Sequence, residues 1–191
     1  MSEQVLRRNV STRSRTRTIT QIAMLGAIAG ILMNLEFPIP FLAPSFYQLD
    51  FSEVPVLVGS FAMGPLAGVW VELVKILVHL VTKGTMTAGV GDVANFIFGC
   101  AFVVPAGFIY RSMKNRKHAV LGMIAGTLLT SVVACFINAF IQMGSAVHGS
   151  VHNLLTFAAL IIFPFNLFKY TLTSLIVFLI YKRIRVVLKG D

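Results

Sequence analysis

The sequence predicts an all-α, polytopic membrane protein with six transmembrane helices and both termini in the cytoplasm. Hydrophobic residues make up 57% of the 191 residues and charged residues only 12%, whereas a soluble domain has about 25% charged residues. The stretches 18–35, 54–71 and 93–110 contain no Asp, Glu, Lys or Arg. Because uncharged apolar stretches of about this length are typical of bilayer spans, an ordinary soluble domain and a disordered chain are both excluded.

The positive charge is concentrated beside the predicted spans. The net charge is +9, and all but three of the 16 Lys and Arg residues fall into three clusters. These clusters are Arg7, Arg8, Arg13, Arg15 and Arg17; Arg111, Lys114, Arg116 and Lys117; and Lys182, Arg183, Arg185 and Lys189. Basic clusters that flank spans mark the cytoplasmic side, so an even number of spans separates each pair, and no nucleic-acid partner is expected.

The first two helices are predicted on either side of a proline-rich segment. Helix one covers 18–36, and three prolines prevent a helix in the following loop, 37–49. Helix two covers 51–63, with Asp50 as its cap and Glu53 in its first turn. Its 13 residues span only about 20 Å, less than the ~30 Å hydrocarbon core. Helix two must therefore tilt, thin the bilayer or use flanking residues.

Four further helices complete the predicted bundle. Gly64 and Pro65 form a tight turn before helix three, and loops at 83–91 and 144–153 lie on the outer side. The four helices are predicted at 66–82, 93–110, 119–143 and 154–181. Since no cleavage site follows the basic start, the first helix is retained. Residues 1–17 then form a basic cytoplasmic arm, and 18–191 form a single six-helix membrane domain.

A few polar side chains inside the spans predict a binding pocket. Lys169 lies 13 residues before Lys182, about 20 Å along helix six, and Asn166 lies one turn further on the same face. Asn138 and Asn95 fall at a similar depth in helices five and four. Each Asn alone is equally explained by a hydrogen bond between helices, but the group predicts a pocket open to the outside. Phe41, Phe46 and Tyr47 in the outer loop are placed to cover an aromatic ligand.

Other reactive residues have simpler interpretations. Glu72, Lys75 and His79 share one face of helix three, which favours a Glu72–Lys75 ion pair over a proton relay through His79. Cys100 and Cys135 are predicted to be small apolar side chains inside spans, without a disulfide. The sequence contains no phosphate-binding Gly-Lys-Ser/Thr motif and no catalytic constellation. An enzyme, an ATPase and a metal site are therefore not expected.

Several motifs, in their order and spacing, resemble the riboflavin-specific substrate-binding subunit, or S component, of energy-coupling factor (ECF) transporters. The likeness runs from about residue 20 to residue 185. The motifs are Phe37-Pro-Ile-Pro-Phe-Leu42, Leu49-Asp-Phe-Ser-Glu-Val-Pro55, Gly64-Pro-Leu-Ala-Gly68, Glu72-x-x-Lys75, Gly91-Asp-Val-Ala-Asn-Phe96 and Pro164-Phe-Asn-x-x-Lys169.

The resemblance implies that a six-helix protein of the bacterial plasma membrane captures riboflavin from outside, with no cofactor. The partners that it implies are a membrane coupling subunit and two cytoplasmic ATPases. In this family the helix one–two loop closes the pocket, and Ala-x-x-x-Ala on helix one docks on the coupling subunit. That motif corresponds to Ala23 and Ala27, with Gly26 and Gly30 thinning the same surface. The implied substrate-binding residues are Phe41, Leu42, Phe46, Tyr47, Gln48, Leu49, Asn95, Asn138, Asn166 and Lys169.

Three alternatives stay open from the sequence. The first keeps the fold and changes the vitamin, to thiamin or to a pterin such as folate, and acceptance of flavin mononucleotide is equally open. The second is a membrane enzyme or scaffold, which would need acids or a nucleophile at the outer polar cluster. The third is a stand-alone secondary transporter, which would show inverted repeats and broken helices.

Overall fold

The chain forms a bundle of α-helices, as the sequence predicts. A computed structural model describes residues 3–39, 47–85, 88–144 and 156–189. Within these ranges there are six α-helices, and five of them contain segments long and apolar enough to cross a membrane. The helices are α1 (Glu3–Asn34), α2 (Glu53–Met63), α3 (Pro65–Thr82), α4 (Val90–Ser112), α5 (Arg116–Gly144) and α6 (Phe163–Lys189).

The predicted boundaries need adjustment mainly at α1. This helix begins at Glu3, far upstream of the predicted start at residue 18, so the basic arm continues the helix of the first span. At its other end α1 stops at Asn34, where the Asn34 amide donates a 2.7 Å hydrogen bond to Thr82 Oγ1 of α3. The predicted outer loop at 144–153 lies outside the described residues except for Gly144.

Helix α2 is short, as predicted, and the protein itself surrounds it. Its 11 residues extend about 17 Å, and residues 55–60 are all buried. Contacts with α1, α3, α4 and α6 enclose it. Because neighbouring helices cover α2 on several sides, it does not need the length of a lipid-exposed span.

The cap predicted for α2 is displaced. The helix begins at Glu53 after Ser52, so Asp50 lies two residues before the N-cap position. Asp50 Oδ1 instead accepts hydrogen bonds from the backbone N–H of Ser52, at 2.8 Å, and from the Ser52 hydroxyl. The carboxylate therefore organises the turn before the helix and does not cap the helix end directly.

Two short connections have defined geometries. Phe37–Pro38 and Gln48–Leu49 form a two-stranded antiparallel ladder, with Phe37 opposite Leu49. The sequence pattern does not predict this strand pair. Gly64 has a φ of +105° between α2 and α3, a conformation that favours glycine. Pro65 then occupies the first turn of α3, where its missing N–H costs no hydrogen bond.

The last predicted helix contains an irregular turn. Ala158–Ile162 forms a π-helical turn immediately before α6, and Pro164 follows it in the first turn of α6. Proline lacks an N–H and its ring crowds the preceding turn of a helix, which accounts for the departure from α geometry. Single π-helical turns are frequent at functional sites.

The bundle has two chemically different ends. The loop end contains the strand pair and the α3–α4 connection at 83–89. The basic end contains the α2–α3 turn and the exposed basic cluster at the α4–α5 connection, which comprises Arg111, Lys114, Arg116 and Lys117. Between the two ends, Val56 and Leu57 of α2, Val71 of α3, Phe102 of α4 and Tyr170 of α6 form the centre of the core.

Candidate binding site at the loop end

A buried ion pair joins the segment before α2 to α6. Lys169 Nζ lies 2.7 Å from Asp50 Oδ2, and the two side chains are only 7% and 3% exposed. The sequence predicts Lys169 as a site residue and Asp50 only as a helix cap. An intramembrane lysine often pairs with an acidic side chain, so the two acids at the start of helix two, Asp50 and Glu53, were the available signal.

Electrostatics keeps the Asp50 carboxylate charged. Burial by itself would raise the pKa of Asp50, but the nearby Lys169 and Lys75 ammonium groups and the hydrogen bonds from Lys169 and Ser52 hold that pKa below its usual value. Asp50 therefore remains an acceptor at neutral pH. Asp50 accepts a hydrogen bond from the Lys169 ammonium on one side, and that ammonium has three N–H donors in total.

Tyr47 connects the outer loop to two helices of the bundle. Its hydroxyl donates a 2.7 Å hydrogen bond to Asn138 Oδ1 on α5, and its ring lies 5.5 Å from that of Phe165 on α6. Burial raises the pKa of the Tyr47 phenol, which keeps the hydroxyl protonated as a donor. The Asn138 amide donates to Ala134 O at 2.8 Å. The structure thus brings together two of the predicted site residues.

Asn166 stabilises the transition from the π-helical turn to α6. Its side-chain amide donates to Ile162 O at 2.9 Å, and the residue is buried. A change from π to α spacing alters which backbone carbonyls find an N–H partner. The Asn166 side chain binds a carbonyl of the π-helical turn, and Asn166 itself lies one turn before Lys169.

An apolar wall lies beside these polar groups. Ala134, Ala158 and Ile162 form a buried cluster against which Tyr47, Phe98, Cys135 and Phe157 pack. Cys135 is a free thiol and donates to Ala158 O at 3.4 Å. A surface with aromatic and aliphatic groups on one side and amides on the other suits a flat, partly polar ligand.

The remaining predicted site residues fall into three situations. Leu49 is buried in the short strand, and Asn95 is half-buried on α4, without a hydrogen bond to the other predicted residues within the described ranges. With its amide nitrogen facing Glu36, Gln48 donates to that carboxylate at 2.5 and 3.1 Å. Phe41, Leu42 and Phe46 lie outside the described residues.

A second, fully buried charge cluster lies deeper in the bundle. Lys75 Nζ is 2.6 Å from Glu72 Oε1, which confirms the predicted ion pair, and 2.7 Å from Glu53 Oε1 of α2. Glu53 was predicted only as a dipole-favoured residue of the first helical turn. His79 belongs to a separate pair, with its Nδ1 2.9 Å from Asp92 Oδ1 of α4. The lysine ion pairs and the His79–Asp92 hydrogen bond together connect α2, α3 and α4.

The small-residue positions of α1 divide between two faces. Ala23 is exposed and Ala27 is half-buried, whereas Gly26 and Gly30 are buried. A Cβ at Gly26 would lie 2.5 Å from Val74 Cβ, and one at Gly30 would lie 2.5 Å from Val78 Cβ. The expectation that these glycines thin the exposed surface is therefore wrong, because they allow α1 to approach α3.

The fold and the loop-end geometry define a multi-pass membrane helical bundle with side-chain amides, a buried ion pair and an apolar wall at one end. The family model of the ECF transporter substrate-specific component matches residues 17–181. The chain therefore belongs to the substrate-specific components of ECF transporters.

Individual relatives match over nearly the whole chain. The riboflavin transporter RibU of Staphylococcus aureus (strain TCH60) is 36% identical over 190 residues, covering 96% of this chain and 97% of the relative. The riboflavin transporter FmnP of Bacillus subtilis (strain 168) is 30% identical over 179 residues, covering 90% and 93%. A solved S component of a bacterial ECF transporter has 34% identity and a TM-score of 0.78, covering 92% of this chain and 99% of the solved one.

Proposed function

We propose that the chain binds riboflavin at the loop end and serves its uptake as the S component of an ECF transporter. The observation that carries this proposal is that Tyr47, Asn138, Asn166 and Lys169 all make their contacts at the loop end. Tyr47 packs on the apolar wall there, and Asn166 donates to Ile162 O within it. Two relatives described as riboflavin transporters match nearly the full length of the chain. The basic end faces the cytoplasm by the positive-inside rule, and residues 1–17 form its basic arm.

The loop-end chemistry suits an isoalloxazine with a hydroxylated chain. The pyrimidine edge of a flavin alternates hydrogen-bond acceptors and donors, and an Asn carboxamide offers both. Asp50 accepts from Lys169, and the remaining donors of that ammonium suit a ring carbonyl or a ribityl oxygen. The apolar wall containing Phe98 and Phe157 suits the dimethylbenzene ring. Phe41, Leu42, Phe46, Gln48, Leu49 and Asn95 complete the proposed substrate-binding set.

Replacing Asn166 with Leu tests the site directly. Leaving buried ligand groups unpaired costs about 1–3 kcal/mol, so riboflavin affinity should fall roughly 5- to 150-fold. The measurement is a titration that follows riboflavin fluorescence with the purified protein. Asn34→Leu is the matched control, because Asn34 also lies near the loop end but contacts Thr82 of α3. Equal affinities for both variants would remove Asn166 from the site.

Ligand identity is tested with the same purified protein. Riboflavin should raise the midpoint of thermal unfolding, whereas thiamin and folate at equal concentration should leave it unchanged. Stabilisation by one of those vitamins and not by riboflavin would keep the S-component fold and contradict the assigned substrate. A riboflavin molecule located near the basic end would contradict the assigned site.

We place the docking surface for the membrane coupling subunit at Ala23 and Ala27, with two ATPase subunits supplying the energy of ATP hydrolysis. A bulky side chain at either alanine should obstruct close helix approach. Ala23→Trp or Ala27→Trp should therefore leave the riboflavin affinity of the isolated protein unchanged and abolish uptake by cells that contain the partner subunits.

The docking test has a control on the same helix. Ile28 is exposed on a different face of α1, so Ile28→Trp should preserve both binding and uptake. Loss of binding together with uptake in the alanine variants would show that these residues pack within this protein. Retention of both activities would show that their face points to lipid.

A further inference from the structure

An apolar groove lies between α5 and α6, near the basic end. Its volume is about 440 Å³, and Ile124, Leu128, Leu175 and Phe178 present exposed side chains there. On α5 the lining runs from Val120 to Leu128, and on α6 from Leu167 to Phe178. On α5 the deepest lining residue, Leu128, lies ten residues before Asn138, whereas on α6 the lining begins at Leu167, between Asn166 and Lys169. The groove therefore runs from the basic end to the depth of the loop-end site, and its α5 side stops short of that site.

The length of the groove matches one leaflet of a bilayer. The lined segments of α5 and α6 extend about 12 Å and 16 Å along the helix axes. One half of the ~30 Å hydrocarbon core is about 15 Å thick. An acyl chain that enters at the basic end can therefore follow the groove for most of the depth of its leaflet.

The mouth of the groove carries uncompensated positive charge. Arg116 and Lys117 are exposed and lie on the same face of α5 as Val120, Met123 and Ile124, at helical spacings of three, four and seven residues. The sequence has no Asp or Glu between Asp92 and Asp191, so most of α4 and all of α5 and α6 lack a carboxylate. A bound anion there would meet no acidic side chain from these helices.

We propose that this groove binds an anionic phospholipid, with one acyl chain between α5 and α6 and the phosphate headgroup at Arg116 and Lys117. Apolar side chains pack along the chain, and the basic residues attract the charged headgroup. The charge at the mouth favours this occupant over a neutral lipid. The same charge favours a lipid over an apolar partner helix, because an apolar helix would fill the groove without an anionic group to pair with Arg116 and Lys117.

The headgroup half of the proposal is tested with phosphatidylglycerol and phosphatidylcholine. Delipidated protein in detergent is titrated with each lipid, and bound lipid is counted by native mass spectrometry. Phosphatidylglycerol should bind more tightly than phosphatidylcholine. Arg116→Gln together with Lys117→Gln should weaken phosphatidylglycerol binding by roughly 30-fold, from the usual contribution of two basic residues near a charged membrane surface.

A matched double variant separates a site from general charge attraction. Arg15 and Arg17 are exposed on α1, towards the same end of the bundle, and α1 packs on α2 and α3. Arg15→Gln together with Arg17→Gln removes the same charge and should leave phosphatidylglycerol affinity unchanged. Equal losses in both double variants, or equal binding of the two lipids by the unaltered protein, would overturn the proposal.

The acyl-chain half is tested by filling the groove. Leu128 and Leu129 are neighbours on α5 with similar exposure, 49% and 46%, but only Leu128 lines the groove. Leu128→Trp should abolish binding of a single tight phosphatidylglycerol, whereas Leu129→Trp should retain it. Riboflavin affinity should be unchanged in both variants, which confirms folding. Tight lipid retained in Leu128→Trp would show that the groove is not the site.

Discussion

The Lys169–Asp50 ion pair predicts a large and specific effect of a single substitution. Lys169→Met leaves the Asp50 carboxylate buried without its cation. Breaking a buried pair in this way costs about 3–5 kcal/mol. Asp50 Oδ1 keeps its two hydrogen bonds from Ser52, so we expect the lower end, about 3 kcal/mol, which corresponds to a change in the unfolding equilibrium on the order of a hundredfold.

Unfolding by titration with sodium dodecyl sulfate in mixed micelles measures this free energy. The double variant Lys169→Met with Asp50→Asn removes the uncompensated charge and should recover most of the lost stability. Its riboflavin affinity should nevertheless stay low, because the Lys169 ammonium that we propose to contact the ligand is still missing. Stability and binding are thereby separated in one pair of proteins.

Lys83→Met provides the matched control. Lys83 pairs with Glu36 at the loop end, but their side chains are 38% and 19% exposed, so its loss should cost less than about 1 kcal/mol. If Lys169→Met lowers the free energy of unfolding no more than Lys83→Met does, the reasoning from the buried pair is refuted.

Two further predictions concern acid stability and helix packing. The pKa of Asp50 in the folded protein lies below its usual value of 3.8. The ionised Asp50 carboxylate therefore contributes its full stabilisation at pH values above 3.8, and this contribution is lost as the pH falls through the lower pKa of the folded state. Acid unfolding of Asp50→Asn and of the unaltered protein should differ, because the variant lacks this pH-dependent stabilisation. Identical acid unfolding profiles would contradict the prediction. Gly30→Ala brings a Cβ within 2.5 Å of Val78 Cβ and should destabilise the protein by about 1–3 kcal/mol. An unchanged or raised thermal midpoint would show that α1 and α3 are not so closely packed.

The helices were predictable because the bilayer restricts the chain so strongly. An apolar stretch without charge must form a helix within lipid, since its backbone polar groups find no water there. The helices predicted at 66–82 and 93–110 agree with the observed α3 and α4 to within a few residues at each end. The start of α1 was missed because polar residues such as Arg15 and Arg17 are compatible with helix but give no hydrophobic signal.

The partners of the buried charges were only partly predictable. Glu72 and Lys75 are three residues apart on one helix, and this local spacing is enough to indicate a pair. Glu53 and Asp50 reach their lysines from segments 22 and 119 residues away in sequence. Such contacts depend on which helices pack together, and the hydrophobic pattern of each helix does not encode that choice.

The sequence by itself determined the class of protein and its family, through uncharged spans, clustered basic residues and motifs such as Pro164-Phe-Asn-x-x-Lys169. It also selected Asn138, Asn166 and Lys169, because polar groups are costly in a bilayer and therefore stand out. Only the tertiary structure assigned Asp50 to Lys169 and Tyr47 to Asn138, and only it turned Gly26 and Gly30 towards α3. The physical reason is that the bilayer acts on each segment separately, whereas hydrogen bonds, ion pairs and close packing exist only between segments that the fold has brought together.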